Sequence, residues 1–129
     1  SYPFPIHDPV YIRQTMTEHV SYYGILQKDK LIAVSSAEMD EKALNAEMTD
    51  FATLPEFRGA GLATALLQEM EKAMAEKGFP TLYTIARSIS FGMNITFAKL
   101  GYTYSGTLHH NTHIIGSMEN MNVWFKRIG

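Results

Sequence analysis

The 129 residues suffice for one compact domain and are too few for two. Hydrophobic residues make up 46% and charged residues 19%, and a net charge near −2 with scattered Lys and Arg gives no basic stripe for a nucleic acid. The absence of cysteine excludes a thiolate nucleophile, a thiolate metal site and disulfides, and no apolar run approaches the roughly 20 residues that cross a bilayer. A cytoplasmic protein with neither nucleic acid nor membrane as partner fits this balance; a homodimer is left open.

Ser1 to Pro9 holds three prolines and reads as an extended arm. Asp8 can cap a helix with Pro9 at its first position, so the pattern predicts a helix from Asp8 to about His19. Val20 to Gln27 is β-branched and aromatic and predicts a strand. A turn at Lys28-Asp29-Lys30 and a second strand, Leu31 to Glu38, complete a hairpin. A polar link, Asp40-Glu41-Lys42, leads to a strand from about Ala43 to Leu54. Alternation there places Glu47, Thr49, Phe51 and Thr53 on one face and Met48, Asp50 and Ala52 on the other. Two carboxylates in a central strand are costly unless paired or used.

A helix is expected from Ala60 to about Lys77, with Leu62, Ala63, Leu66, Leu67, Met70, Ala73 and Met74 on its apolar side. Gly78 and Pro80 stop it. A short strand (Thr81 to Ala86), a helix capped by Ser88 and ending near Leu100, and a strand (Tyr102 to Leu108) follow. A polar loop, His109 to Asn120, precedes a last strand, Met121 to Ile128. His109, His110 and His113 in that loop lack the spacing and companions of a zinc site, and no metal is expected. The expected class is α/β (α+β): a mixed, mostly antiparallel twisted sheet flanked by helices.

The stretch Pro55-Glu56-Phe57-Arg58-Gly59-Ala60-Gly61-Leu62-Ala63-Thr64 joins strand to helix through two glycines. The first N–H groups of a helix have no intrahelical partner, and the dipole there favours negative charge. Side chains at Gly59, Ala60 and Gly61 are absent or tiny, so a phosphate can approach the backbone. The Gly-Lys-Ser/Thr of a Walker loop is missing, and so are the third glycine and acidic ribose partner of a dinucleotide fingerprint. A pyrophosphate cradle is the reading that remains beside a mere strand-to-helix turn.

Arg58-Gly59-Ala60-Gly61-Leu62-Ala63 resembles the Arg/Gln-x-x-Gly-x-Gly/Ala signature of the GCN5-related N-acetyltransferases, the GNAT superfamily. Phe97-Ala98-Lys99-Leu100-Gly101-Tyr102 resembles that family's later Tyr-x-Lys-Leu-Gly-Phe segment. The resemblance implies the GNAT fold and an acetyl-CoA cosubstrate whose pyrophosphate meets Arg58, Gly59, Ala60, Gly61, Leu62, Ala63 and Thr64. It also implies that the backbone of Phe51, Ala52 and Thr53 receives the pantetheine arm as an added strand edge. The run Ser88 to Tyr102, with Gly106-Thr107-Leu108, Asn111-Thr112 and Gly116 to Trp124, resembles a branch that acetylates β-lysine to make a compatible solute. Members carry an additional N-terminal region, so the chain is expected to be the C-terminal part of a longer protein. A processed or tag-trimmed chain is the alternative.

Acetyl transfer needs a neutral amine, and only about one lysine-type amine in 2500 is neutral at pH 7. Glu47, four residues before Phe51, has the spacing of the base glutamate in the histone-acetylating branch. Its plain alternative is a surface or ion-paired residue. Where many members carry a tyrosine that protonates the leaving thiolate, this chain has Phe97, which has no proton to give. Ser90 falls where the family often has Asn. Tyr83, Tyr102 or a water is the candidate acid, with Tyr102 more often a core residue. A thiol of pKa about 8.5 can also leave as thiolate without one. Asp50, Asn111, Glu119 and Asn122 are candidates for the charged ends of a small amine acceptor. Other acceptors (a peptide, polyamine or antibiotic amine) and a non-catalytic CoA-thioester sensor remain as alternatives.

Overall fold

β-Branched and aromatic residues dominate the first third of the chain, and they build a meander. The computed structural model describes residues 10–108 and 120–129. In it, β1 (Val10–Thr17), β2 (Val20–Gln27), β3 (Lys30–Asp40) and β4 (Asn45–Thr53) pair antiparallel in succession. A 3-10 turn, Pro55–Phe57, leads to α1 (Leu62–Lys77), β5 (Thr81–Arg87), α2 (Phe91–Lys99), β6 (Thr103–Leu108) and β7 (Met121–Arg127). The seven strands of the described residues lie in the order β1-β2-β3-β4-β5-β7-β6. Among the described residues only the β4–β5 pair is parallel. This is the mixed, mostly antiparallel sheet with flanking helices that the sequence predicts.

One expected element is different. The helix predicted from Asp8 is, from Val10 onward, strand β1, paired along all eight residues with β2. Val10, Ile12, Thr15 and Thr17 are β-branched and gain little from a helix. The full ladder along β2 outweighs a capping signal. Asp8 and Pro9, which carried that signal, lie outside the described residues.

The core lies between the sheet and α1. Ser35 Oγ donates to Met70 Sδ at 3.1 Å, which fixes the face of β3 that meets the helix. Ile25, Ala37, Ala46, Met48 and Leu82 from the sheet pack there against Leu62, Leu66, Leu67, Met70 and Met74 of α1. Gly61 and Gly78 close α1 at its two ends in the left-handed conformation. α2 packs on the same side, since its Phe97 meets Phe51 edge to face at 5.8 Å. The opposite face of the sheet carries Ser36, Glu38, Glu47, Thr49 and Tyr83 by strand alternation.

β4 does not alternate as its sequence predicts. Ser36 pairs with Thr49 and Val34 with Ala52, so Asp50 and Phe51 together oppose Ser35. This is a β-bulge, with Asp50 at φ 57°. The bulge turns Phe51 onto the helix side, where it packs against the core, whereas Glu47 and Thr49 stay on the open face. Asp50, expected opposite Glu47, instead joins it: Ser36 Oγ on the open face donates to Asp50 Oδ2 at 2.7 Å.

Candidate active site

The loop after β4 has the geometry of an anion cradle. Gly59 and Gly61 both sit at φ 81°, and Gly61 is the N-cap of α1. Only glycine holds that region without strain. The first helical bond is donated by Ala65 N–H to Gly61 O. The N–H groups of Leu62, Ala63 and Thr64 therefore precede the ladder and sit at the positive end of the α1 dipole. Arg58, Gly59 and Gly61 are exposed, and Ala60, Ala63 and Thr64 are half-buried. The Leu62 side chain belongs to the core, so its backbone alone is open to a ligand.

Beside the cradle, two strands part. β4 and β5 pair only from Asn45 to Glu47 and from Thr81 to Tyr83. Beyond that point Thr84 Oγ1 donates to Met48 O at 2.7 Å, a side-chain clasp at the apex of the divergence. β5 continues to Arg87 along β7, and β4 continues to Thr53 along β3. Residues 49–53 thus have an edge with no strand partner among the described residues. An extended chain can add to such an edge through backbone hydrogen bonds.

Glu47 stands at that apex on the open face. Its register partners are Glu38 across β3 and Tyr83 across β5. Burial, reinforced by the charges of Glu38 and Asp50 and by a hydrogen bond with Glu38, pushes the Glu47 carboxyl above the ordinary carboxylate range. Burial, then the negative charges of Glu47, Glu38 and Asp40, likewise raises the Tyr83 phenol. Tyr83 is therefore a protonated phenol at neutral pH, beside a carboxyl of raised proton affinity.

The remaining expected residues divide. Phe97 is fully buried, edge to face with both Phe51 and Tyr102. It supports Phe51 from within the core and offers no ring face to a ligand. Ser90 is the half-buried N-cap of α2, and its carbonyl accepts from Asn94 Nδ2. Asn111 and Glu119 lie outside the described residues, as do His109, His110 and His113.

The Asn122 amide is committed within the protein. Its Oδ1 accepts from Ser88 Oγ and Thr107 Oγ1, both at 2.9 Å, and its Nδ2 donates to Asn94 Oδ1 at 3.1 Å. It acts as a clamp between β7, β6 and the loop into α2 rather than presenting an open amide. Asn94, which the sequence did not single out, is the hub. Its Oδ1 also accepts from Trp124 Nε1 at 2.8 Å, and its Nδ2 donates to Arg87 O and Ser90 O. Asn94→Ala leaves two half-buried donors unpaired and is expected to cost about 1–3 kcal/mol, read as a lower urea midpoint at unchanged m-value.

Glu38 also escaped notice. It lies nine residues before Glu47, and only the register of the intervening turn makes them neighbours.

The Acetyltransferase (GNAT) family model matches residues 1–102. The chain belongs to the GNAT acetyltransferase family. Among curated relatives, the beta-lysine N(6)-acetyltransferase of Methanococcus maripaludis is 55% identical over 126 residues, covering 98% of this chain and 46% of that protein. The chain thus spans about half the length of that relative. Two family structures share the fold. An IAA acetyltransferase from Bacillus cereus has a TM-score of 0.80 at 14% identity, over 93% of this chain and all of that one. The RimL ribosomal L7/L12 alpha-N-protein acetyltransferase in complex with coenzyme A has a TM-score of 0.77 at 17% identity, over 85% of this chain and 63% of that one.

Proposed function

We propose that this chain is the catalytic domain of an acetyl-CoA-dependent N-acetyltransferase whose acceptor is a small diamino acid of the β-lysine type. The reading rests on one observation: β4 parts from β5 directly after Glu47, beside the diglycine N-terminus of α1. Membership of the GNAT family supports the activity. The name of the 55%-identical relative supports the acceptor.

The residues fit the cosubstrate. Backbone N–H groups of Gly59 to Thr64, with Arg58 beside them, suit a diphosphate, and the unpaired edge of Phe51, Ala52 and Thr53 suits an amide-bearing arm. Bound acetyl-CoA supplies a thioester whose carbonyl carbon the amine attacks, the C–N bond forming as the C–S bond breaks. Glu47 takes one proton from the acceptor ammonium and so frees the nitrogen lone pair. An N–H on the β4 edge polarises the thioester carbonyl as charge develops on its oxygen. Tyr83 gives its proton to the departing sulfur and regains one from the acylated nitrogen through solvent. Phe97 has no part in that step. Asp50, brought to the open face by the bulge, holds a second ammonium of the acceptor.

The test follows CoA thiol release with β-lysine, α-lysine, ornithine, putrescine and an N-terminal alanyl peptide. The expected result is the highest kcat/KM on β-lysine, with one acetyl group on the ε-nitrogen by mass spectrometry. Turnover confined to the peptide or the polyamine would reassign the acceptor. Tight acetyl-CoA binding with no turnover on any amine would reduce the chain to a binding domain.

A further inference from the structure

Two carboxylates face each other where an ordinary sheet avoids them. The antiparallel register sets Glu38 of β3 directly opposite Glu47 of β4. Side chains so paired leave the sheet on one face with Cβ atoms about 5 Å apart, and like charges there are destabilising. The surroundings do not relieve the repulsion. On β3 the pair is flanked by Ser36 and Asp40, on β4 by Asn45, Thr49 and Asp50, and on β5 by Thr81 and Tyr83. Neither carboxylate forms an ion pair with Lys or Arg among the described residues. The ion pair Lys126–Glu71 joins β7 to α1 on the other side of the sheet.

We propose that Glu38 is a positioning residue for acetyl transfer: through the carboxyl–carboxyl contact imposed by the β3–β4 register, it strengthens Glu47 as the base that takes the acceptor's proton. The proposal rests on Glu47 being the base. A negative charge beside a carboxyl disfavours that carboxyl's ionised form. Glu38 thereby raises the proton affinity of Glu47 and narrows its mismatch with an ammonium of ordinary pKa near 10.4. Placement makes the division of labour asymmetric. Glu38 is exposed, and Glu47 is half-buried at the apex where β4 and β5 part. The buried member meets the substrate, and the exposed one supplies charge. The hydrogen bond that a protonated Glu47 donates to Glu38 has the same direction of effect.

Glu38→Gln keeps the shape and removes the charge. The titration midpoint of the Glu47 side-chain carboxyl, followed by 13C NMR in the free protein, is expected to fall. The acid limb of kcat/KM should move to lower pH in parallel. At pH 7 kcat should drop severalfold with acetyl-CoA affinity unchanged, and Glu38→Asp should recover part of the loss. A merely structural Glu38 would change the melting temperature and leave the Glu47 midpoint in place, and that result overturns the proposal. A rise in KM for the amine alone, with the acid limb unmoved, overturns it as well and makes Glu38 an acceptor contact. Full activity in Glu47→Gln removes the base role and this proposal with it. Dependence on Glu47 with an unmoved midpoint in Glu38→Gln removes this proposal alone.

Discussion

Glu47→Gln is expected to lower kcat roughly a hundred- to ten-thousand-fold, the usual range for losing a positioned base. Acetyl-CoA affinity should be unchanged, because the cradle at Arg58 to Thr64 lies on the loop beyond β4. The pH profile carries the sharper test. As the proposed base Glu47 must be ionised, and its carboxyl is raised in the folded protein by burial, by Glu38 and by Asp50. Wild-type activity should therefore rise with pH through that raised value, and the limb should vanish in the Gln variant. The same shift has a stability consequence of opposite sense. A carboxyl whose folded pKa is raised stabilises the fold fully below its unfolded pKa. That contribution is lost as pH rises through the folded value. At neutral pH ionised Glu47 is thus a net cost, and Glu47→Gln should melt higher than wild type there but not in acid. A variant that is less stable at pH 7 and equally active would sink the assignment.

Gly61→Val should weaken acetyl-CoA binding by an order of magnitude or more. Gly61 sits at φ 81° and ψ 15°, a left-handed conformation that costs an L-residue about 1–2 kcal/mol. A β-branched side chain is worse placed there than most. The variant must distort the turn that aims the free N–H groups of Leu62, Ala63 and Thr64, or put a branched side chain where a diphosphate would lie. Calorimetric titration with CoA reads the loss directly. Turnover at saturating acetyl-CoA should change little, so the effect appears in KM. Arg58→Ala, which removes one exposed cation and leaves the backbone intact, should cost less. CoA affinity within twofold of wild type in Gly61→Val would mean that the cradle binds something else or nothing.

Each misplaced expectation has a nameable cause. The helix expected from Asp8 rested on a local cap and a proline, and both are short-range signals. The β2 edge beside that segment is a long-range fact, and it recruits Val10 to Thr17 as a strand. The face assigned to Asp50 rested on strict alternation, which one bulge between Val34 and Ser36 interrupts. Nothing in Thr49-Asp50-Phe51 announces a bulge. It is a property of how β3 and β4 fit together. Asn122 illustrates the same limit. Its hydrogen bonds with Ser88, Thr107 and Asn94 join segments far apart in the chain, and no local pattern announces them.

The sequence by itself determined the order of strands and helices after Val20, the glycine turn that opens α1 and the apolar side of that helix, and it marked Glu47 and Tyr83 as titratable candidates. These rest on local chemistry: a backbone that needs positive φ, a 3.6-residue period, a titratable side chain. Tertiary structure alone decided that β4 and β5 part after Glu47, that Asp50 shares its face, that Glu38 stands opposite it, and that Phe97 lies in the core. Those depend on register and packing between segments far apart in the chain. A one-residue slip in register moves a side chain from one face of a sheet to the other, and no local pattern specifies it.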